Sequence, residues 1–408
     1  MNRDPGEAAA KARNSSADGL AFKPSESNTV GFELELQIID PQTGDLAPGS
    51  VRILKACQEE GLPGITAELM QSMVEVKTGV HRTVREARDE LLPLLRRLRN
   101  VASSLGYDLA LGGTHPFNRG LSGVVFPAER YERIQERLAW LMYQRVVFGL
   151  HVHVGVPDGD IAVGVINMLV GYLPHLLAVS ANSPFWHKED TGLASCRSVL
   201  YRMLPHAGVP RCFRNWKEFR QYYSVLRDCH AIQSPKDIYW DIRPCPNFGT
   251  VEIRVCDMPP SLAMVFGIVT LVHGLVVGAQ RLLHERPHLR RGDVRRHWVA
   301  VENKWLAARY GLHAMHIRTP SGKRRLLKQD FADLIERVRP VAEEAGDASF
   351  LAALRPTESF ESGAERQRRL IRESGDWRRL VDDMVGRWAQ ELERSVSAPG
   401  EAVTPQSS

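Results

Sequence analysis

The chain has 408 residues, of which 43% are hydrophobic and 25% are charged, and it carries a formal net charge of +5 with an isoelectric point near 8.9. This is the composition of an ordinary globular protein with enough material for a large core. The mild basicity suits anionic substrates such as nucleotides, but it falls short of the charge expected of a nucleic-acid-binding protein, so no nucleic-acid partner is predicted.

Both ends of the chain are polar. Residues 1–27 lack the apolar core that a signal peptide requires, and residues 395–408 form a second polar stretch. We predict a flexible tail at each end and a single catalytic domain between them, residues 28–394. The six cysteines contain no CxxC pair, which predicts reduced thiols and a cytoplasmic protein.

One apolar segment, from Ser261 to Gln280, is about as long as a bilayer-spanning helix. It contains His273 and follows directly on a charged strand and a Pro-Pro turn, and no second segment is equally apolar. We therefore predict a buried core helix and no membrane partner.

The first predicted strand, GFELELQIID (31–40), carries two glutamates in an otherwise apolar segment. Because side chains alternate between faces, Glu33 and Glu35 share one face, and Phe32, Leu34 and Leu36 share the other. Two unit charges about 4 Å apart repel by roughly 4 kcal/mol at the effective dielectric of a protein surface. Either the glutamates face water, or divalent cations lie between them, since Mg²⁺ and Mn²⁺ prefer carboxylate oxygens.

The next segment, ELMQSMVEVKTGV, places Glu68 ahead of Glu75, and Glu75 lies in a second alternating strand. Residues 81–106 have helical apolar spacing and a glycine stop, which predicts an amphipathic helix on one face of a sheet. A further strand then leads into the turn LGGTHPF, which contains His115.

Three more polar strands are predicted further along the chain. The strand GLHVHVGVP, between predicted helices at 128–148 and 161–182, sets two histidines on one face. The segments DIYWDIRPCP and GTVEIRVCDMP each set an acid and an arginine on one face. These residues are His151, His153, Asp241, Arg243, Glu252 and Arg254.

Strands and helices are intermingled without regular βαβ alternation. This order predicts the α+β class with a largely antiparallel sheet. Because polar residues recur at alternate positions of several strands, we expect one functional, concave face and an apolar back covered by helices.

Carboxylates, imidazoles and guanidiniums on one face suit metal-assisted phosphoryl transfer, in which Mg²⁺ ions share carboxylate and phosphate oxygens and arginines neutralise the phosphoryl group. The chain has no GxxxxGK[ST] loop, which argues against a P-loop site. Each feature also has a plainer interpretation. HxH pairs occur in zinc amidohydrolases, Glu252 and Arg254 would make an ordinary ion pair, and His115 would stabilise its turn.

A series of segments in chain order resembles the glutamate–cysteine ligase type 2 family, the carboxylate–amine ligases of the glutamine synthetase-like superfamily. An ordered set of this length is far harder to obtain by chance than a lone motif. The segments span Gly31 to Arg368 and are GFELELQIID, ELMQSMVEVKTGV, LGGTHPF, GLHVHVGVP, SANSPFWHKEDTGLASCRS, YWDIRP, GTVEIRVCDMP, ENKWLAARYGL and GAERQR.

The resemblance implies a curved antiparallel sheet of about six strands with helices on its outer face. It also implies an ATP-dependent ligase in which a carboxylate, such as the γ-carboxyl of glutamate, is phosphorylated by ATP. An amine such as that of cysteine then displaces phosphate from the acyl phosphate to form an amide. The implied cofactors are ATP and Mg²⁺ or Mn²⁺, the implied partners are small molecules, and a homodimer is left open.

The resemblance also implies roles for individual residues. The expected metal ligands are Glu33, Glu35, Glu68, Glu75, Glu252 and His151. Arg254 is expected to face the transferred phosphate and Arg243 to bind substrate carboxylate or phosphate. Further substrate- or ATP-binding residues are expected at His153, His115, Asp241 and Arg197.

Two other activities remain as alternatives. One is a zinc-dependent amidohydrolase that uses the HxH pair, and the other is a guanidino kinase-like phosphotransferase, in which phosphate moves to nitrogen and stays there. The sequence leaves open the amine acceptor, the carboxylate donor and the preferred metal.

Overall fold

The computed structural model describes residues 20–117, 124–290, 294–318 and 322–397. The strands, numbered in chain order within these residues, are β1 (Val30–Ile39), β2 (Ile65–Ala67), β3 (Met73–Lys77), β4 (Asp108–Ala110), β5 (Gly149–Gly155), β6 (Phe185–Trp186), β7 (Glu189–Asp190), β8 (Ala207–Gly208), β9 (Tyr239–Trp240), β10 (Ile242–Cys245), β11 (Thr250–Asp257), β12 (Met315–Ile317) and β13 (Arg324–Leu326).

Helices fill most of the remaining described chain. The α-helices are Ser50–Glu59, Val84–Ser104, Glu129–Leu138, Trp140–Tyr143, Gly159–Leu169, Leu173–Ser180, Cys196–Arg202, Trp216–Asp228, Leu262–Glu285, Val294–Tyr310, Leu327–Glu344, Gly363–Ser374 and Trp377–Ser397. Short 3₁₀ helices lie at Val170–Tyr172, Pro235–Asp237, Pro287–Arg290, Gly311–His313 and Ala348–Leu354.

One antiparallel sheet of seven strands positions the charged residues. Its order is β10-β11-β5-β1-β3-β2, and β4 pairs with the end of β1. The predicted α+β class is confirmed. The strand that the prediction missed is β2, whose three residues are too few to show an alternating pattern.

The apolar back of this sheet forms the main core. Phe32, Leu34 and Leu36 of β1 are each at most 1% exposed. They share one hydrophobic cluster with buried residues of the helices Val84–Ser104 and Leu262–Glu285. Burial of these side chains stabilises the sheet by roughly 1.5–3 kcal/mol each, and it leaves the opposite face of β1 to its glutamates.

Two helical segments, Gly159–Ser180 and Leu262–Glu285, are long and apolar enough to cross a membrane, with mean hydropathies of 1.8 and 2.2. Their most apolar windows are 83% and 89% buried inside the protein. This burial favours the core-helix interpretation of residues 261–280.

The folded part of the chain begins before the predicted boundary at residue 27. Leu20 is buried in a cluster with Phe219, and the ring of Phe22 packs edge-on against Trp216 with centroids 5.3 Å apart. At the other end, the last helix continues to Ser397, beyond the predicted boundary at residue 394. The remaining predicted tail residues, 1–19 and 398–408, lie outside the described residues.

The predicted helix at 128–148 ends early. It is interrupted at Ala139, whose φ of 47° lies in the left-handed region that L-residues other than glycine rarely adopt, and the second short helix stops at Tyr143. The chain then turns to enter β5, which brings Arg145 to the charged face of the sheet.

Candidate active site

A cavity of about 350 Å³ lies on the charged face of the sheet. Its walls come from β1, β3, β5, β10 and β11 and from the helix Glu129–Leu138. The structure brings nine of the twelve predicted site residues to this cavity, namely Glu33, Glu35, Glu68, Glu75, His151, His153, Arg243, Glu252 and Arg254.

The strand register explains why these residues meet. Glu35 lies directly opposite Glu75 on β3, and Glu33 lies opposite His151 on β5. On the other side of β5, His153 lies opposite Glu252 of β11. Directly opposed residues have Cβ atoms about 4.5–5.5 Å apart, so residues distant in sequence become neighbours on one face.

Two groups of donor atoms on this face are suited to hold metal ions. Glu35, Glu75 and His151 each offer a ligand atom within 4.8 Å of the others, and so do Glu33, His151 and Glu252. Both groups combine carboxylate oxygens with a ring nitrogen and share His151. Glu68 lines the same cavity outside both groups, and its carboxylate accepts the Leu69 amide proton at 2.7 Å.

The two facing carboxyls of this site, Glu35 and Glu75, have raised pKa values. Burial and the charge of Glu68 raise the pKa of Glu35 to about 7, although Arg197 and Arg254 oppose the shift. Burial and the charges of Glu33 and Glu68 raise the pKa of Glu75 well above its ordinary value. The charged forms of both carboxyls are therefore disfavoured in the cavity, and a cation beside them would lower these pKa values again.

His151 is held in its neutral form. Burial and the positive charge of Arg254 lower the pKa of His151 to about 3, against the hydrogen bond to Glu33. Its Nδ1 lies 3.3 Å from Glu33 Oε2, while its buried Nε2, 3.6 Å from Glu35 Oε1, has no hydrogen-bond partner among the described residues. A neutral, unpartnered ring nitrogen between carboxylates fits a metal ligand.

The carboxylate of Glu252 joins two arginines. Arg243 Nε donates to Glu252 Oε2 at 2.6 Å, and Arg254 Nη1 donates to Glu252 Oε1. Burial alone would raise the pKa of Glu252, but the two guanidiniums outweigh it and hold the pKa well below its usual range. Arg254 is fixed further by donating to the Tyr201 hydroxyl at 3.0 Å. Glu252 is thus ionised, and both arginines are pre-positioned at the cavity wall.

Three predicted site residues lie outside the cavity lining, and their polar groups have partners elsewhere in the fold. The Lys304 ammonium donates to both carboxylate oxygens of Asp241, at 2.6 and 2.7 Å, so this carboxylate is already neutralised. The ring of His115 is buried, donates from Nε2 to the Gly44 carbonyl at 2.9 Å and packs edge-on against Phe117.

The third of these residues, Arg197, is buried beneath the site. Its Nη1 lies 3.9 Å from Asp257 Oδ1, and its Nη2 donates to the Arg254 carbonyl at 3.3 Å. Arg197 therefore supports the backbone of β11, and it affects the cavity through its charge on Glu35.

Lys77 and Arg145 are two of the cavity cations that the sequence analysis missed. Lys77 Nζ lies 2.6 Å from Glu75 Oε2 and 3.3 Å from Glu33 Oε1. Its position two residues after Glu75 places it on the same strand face, so the alternation that identified the glutamates also identifies Lys77. In the absence of metal this ammonium neutralises part of the carboxylate charge.

Arg145, the second missed cation, lies outside any strand and has no pattern that signals it. Its guanidinium lies over the Tyr239 and Tyr201 rings, 4.9 and 5.7 Å from their centroids. The buried Nε and Nη1 have no hydrogen-bond partner among the described residues. A guanidinium whose buried nitrogens face aromatic rings is suited to bind an anion that enters the cavity.

A separate polar cluster, His175, His316 and Asp330, lies away from the cavity. Asp330 Oδ2 lies 3.0 Å from His175 Nε2 and 3.1 Å from His316 Nε2. Its Oδ1 lies 3.3 Å from Arg318 and from Arg325. Because both oxygens are occupied by donors, this cluster is explained as a link between the helices and β12.

Comparisons with known proteins identify the family. The model of the glutamate-cysteine ligase family 2 matches residues 29–387. The chain belongs to this family. The family predicted from the sequence motifs is confirmed, and with it the assignment of the chain as an enzyme of the ligase class.

Curated relatives match over nearly the whole chain. A protein of Thermobifida fusca, provisionally named glutamate–cysteine ligase 2, is 38% identical over 370 residues, covering 90% of this chain and 92% of the relative. A Gloeobacter violaceus protein of the same provisional name is 37% identical over 371 residues, covering 90% of this chain and 98% of the relative.

Solved structures show the same fold at low sequence identity. The glutamate–cysteine ligase of Francisella tularensis, crystallised in complex with AMP, superposes with a TM-score of 0.68 at 15% identity, covering 91% of this chain and 90% of that chain. A bifunctional glutathione synthetase from Pasteurella multocida superposes with a TM-score of 0.59 at 15% identity, covering 91% of this chain and 53% of that one. The antiparallel sheet with packed helices that the motifs predict is confirmed, and it is the fold of a glutamate–cysteine ligase.

Proposed function

We propose that the protein is an ATP-dependent carboxylate–amine ligase that joins the γ-carboxyl of glutamate to cysteine or another amine. The observation that carries this proposal is the meeting, in one cavity, of carboxylates that need cations with two arginines fixed beside them. The family membership supports the ligase reaction, and the AMP bound to a ligase of the same fold supports ATP as the co-substrate.

Mg²⁺ or Mn²⁺ is the expected metal because most of the donor atoms are carboxylate oxygens. Glu33, Glu35, Glu75, Glu252 and His151 would hold the ions, with Glu68 at the edge of the same cavity. The bound cations would neutralise the phosphate oxygens of ATP. The ion pairs of Lys77 with Glu75 and Glu33 would then break, since the metal would neutralise the charge of these carboxylates.

In the proposed reaction a carboxylate oxygen of the substrate attacks the γ-phosphorus of ATP, and the bond to the ADP oxygen breaks. The amine then attacks the acyl carbon, inorganic phosphate leaves, and the amine loses a proton to solvent. Arg254 would stabilise the charge on the transferred phosphoryl group, because its guanidinium is held in place by Glu252 and Tyr201 before substrate arrives. Arg243 would act on the same charge from the far side of Glu252.

Arg145 would hold a second anionic group, such as the carboxylate of the substrate that does not react. Both cavity arginines of the Glu252 cluster already have a carboxylate partner, whereas Arg145 lies between Tyr201 and Tyr239. A substrate anion would therefore replace an aromatic contact by a charge-assisted one.

The test is release of phosphate from ATP by the purified protein, measured across amino acids, with mass analysis of the products. We expect phosphate release only when a carboxylate substrate is present, together with a condensed amide. Glu75→Gln should lower this activity by on the order of 100-fold or more, because a group needed to position charge in the transition state is lost. The matched control is Glu59→Gln, which changes an exposed glutamate of the helix Ser50–Glu59.

Full activity of the Glu75→Gln protein would overturn the assignment of the site. Hydrolysis that does not need ATP would favour the zinc amidohydrolase, and a phosphorylated substrate without an amide would favour the guanidino kinase-like reaction. A cytoplasmic location and a homodimer remain proposals that accompany the ligase assignment.

A further inference from the structure

One corner of the cavity has a donor set that differs in kind from the carboxylates at its centre. His153, Cys245 and Glu252 each offer a ligand atom, and these atoms lie within 4.8 Å of one another. Sulfur and imidazole nitrogen are the ligands that Zn²⁺ and other borderline or soft metals prefer, whereas Mg²⁺ takes oxygen. The proposed function assigns no role to the thiol.

The strand register builds this corner. Cys245, at the end of β10, lies opposite Thr250 of β11, and Glu252 lies opposite His153 of β5. Cys245 also follows Arg243 by two residues, so both point to the same face of β10. The donor atoms therefore come from three adjacent strands rather than from a mobile loop.

His153 is oriented as a metal-binding histidine is. Its Nδ1 lies 3.0 Å from the Thr250 hydroxyl, which leaves Nε2 directed into the cavity, 4.0 Å from Glu252 Oε1 and 3.8 Å from Glu33 Oε1. A hydrogen bond on the other ring nitrogen is the usual device that fixes the orientation of a ligating imidazole.

The thiol of Cys245 is already in contact with a second donor. Its Sγ donates to Glu252 Oε2 at 2.8 Å. Tetrahedral Zn²⁺ with ordinary bond lengths needs ligand atoms about 3.3–3.6 Å apart, which is within the range spanned by these contacts. Glu252 can keep its two arginines and still offer a lone pair, since a carboxylate has about four acceptor sites.

We propose that His153, Cys245 and Glu252 form a binding site for a thiophilic divalent cation, Zn²⁺ or Cd²⁺, at the edge of the cavity. On binding, the thiol proton passes to solvent and the sulfur–metal bond forms with the thiolate. Burial and the charge of Glu252 raise the pKa of the Cys245 thiol, against the charges of Arg243 and Arg254, and a bound cation would offset this cost by taking the thiolate as its ligand. Glu33, on the far side of His153, is placed to supply a fourth ligand, with water as its substitute.

The site shares Glu252 with the proposed Mg²⁺ ligands, so a thiophilic ion bound here should inhibit the enzyme. Zn²⁺ at a stoichiometric level should lower ATP-dependent phosphate release in the presence of excess Mg²⁺. This consequence rests on the proposed ligase function, whereas metal binding itself does not, so the two can fail separately.

The experiment is a titration of the metal-stripped, full-length protein with Cd²⁺, followed by the ultraviolet charge-transfer absorption of the thiolate–cadmium bond. We expect the band to saturate at one equivalent and to disappear when Zn²⁺ is added in competition. The Cys245→Ser protein should lose this band, and the matched control Cys229→Ser, which changes an exposed cysteine, should keep it.

Thr250→Val provides a variant that leaves all three ligands in place. It removes only the partner of His153 Nδ1, and it should weaken Cd²⁺ affinity by about 10- to 100-fold while the absorption band keeps its shape. The proposal is overturned if the wild-type protein shows no band, if Cys245→Ser retains it at the same affinity, or if Thr250→Val binds Cd²⁺ as tightly as the wild type.

Discussion

Glu35 and Glu75 face each other across β1 and β3, and their burial is what penalises the charged form of both carboxyls. Two exposed glutamates at the same spacing would simply be hydrated, and their repulsion would be screened. In the cavity desolvation penalises the bare charge, so a carboxyl there is compensated by a proton, by the Lys77 ammonium or by a bound metal ion.

The raised pKa of Glu35 predicts a pH-dependent stability of the metal-free protein. The folded state binds this proton more tightly than the unfolded chain, with a pKa of about 7 against 4.5. The stabilising contribution is present below pH 4.5 and is lost as the pH rises through 7. Glu35→Gln cannot ionise, so in EDTA at pH 8 it should be more stable than the wild type by about 3 kcal/mol.

The measurement is thermal unfolding of both proteins in EDTA at pH 8 and at pH 5. The advantage of the Glu35→Gln protein should shrink at pH 5, where the wild-type carboxyl is protonated. Glu59→Gln, at an exposed position, should show no such change between the two pH values. A Glu35→Gln advantage that is equal at both pH values would show that ionisation of this carboxyl is not the cause.

From the position of Arg145 we expect that removing its charge changes the affinity for the carboxylate substrate and has little effect on the affinity for the nucleotide. Arg145→Met keeps the apolar stem between Tyr201 and Tyr239 and removes the charge. We expect the KM for the carboxylate substrate to rise by about tenfold or more, corresponding to the loss of one charge-assisted hydrogen bond of roughly 1.5–3 kcal/mol. Steady-state kinetics with each substrate varied in turn measures this.

An equal rise of the KM for ATP in the Arg145→Met protein would instead place the nucleotide on this arginine. The matched control is Arg130→Met, since Arg130 also lines the cavity but lies 3.7 Å from the Asp237 carboxylate.

At the scale of the element, the two faces of β1 have different roles. One face packs in the core, and the other lines the cavity. Leu34 is fully buried in the core, whereas Glu33 lies in the cavity one residue earlier. Leu34→Ala should lower the free energy of unfolding by about 2–5 kcal/mol, because it removes buried methyl groups and leaves a cavity in the core. The affinity for Mn²⁺ of the protein that remains folded should be unchanged.

Glu33→Gln should differ from Leu34→Ala in that it weakens Mn²⁺ affinity. Denaturant unfolding and Mn²⁺ binding measured on both proteins provide the comparison. If Leu34→Ala weakened Mn²⁺ binding as strongly as Glu33→Gln, the two faces of β1 would not act independently.

The helix Val84–Ser104 shows which elements the sequence predicts well. Thr83 and Glu86 form a reciprocal capping box at its start, and Gly106 adopts a φ of 83° just beyond its end. Local start and stop signals of this kind act through neighbouring residues alone. The prediction of one helix over residues 128–148 was wrong because no local stop signal marks the interruption at Ala139.

At the scale of the whole molecule, metal binding should be coupled to folding. The carboxylates come from β1, β3 and β11, which are adjacent only in the folded sheet. A ligand that binds the folded state alone stabilises it by RT ln(1 + [L]/Kd), about 2.7 kcal/mol at 100 times Kd. Adding Mg²⁺ should therefore raise the unfolding temperature of the wild type.

The unfolding temperature of a Glu33→Gln, Glu75→Gln double variant should not respond to Mg²⁺, because both metal-ligand groups have lost a carboxylate. Calorimetry with and without Mg²⁺ measures the difference. A shift of equal size in the double variant would place the stabilising cation elsewhere.

The sequence by itself determined which strands carry polar side chains, and on which face, because strand alternation is a property of the local backbone. It also determined the family, through motifs whose order does not depend on any contact. Nine of the predicted residues therefore lie in the lining of one cavity.

Only the tertiary structure decided which polar residues share the cavity. Asp241 and His115 lie outside the cavity lining because they bond to Lys304 and Gly44, which are distant in sequence. Arg145 lines the cavity from a turn that has no periodic signal. Pairing between strands and burial of a charge depend on packing between segments far apart in the chain, and local periodicity contains no information about those distances.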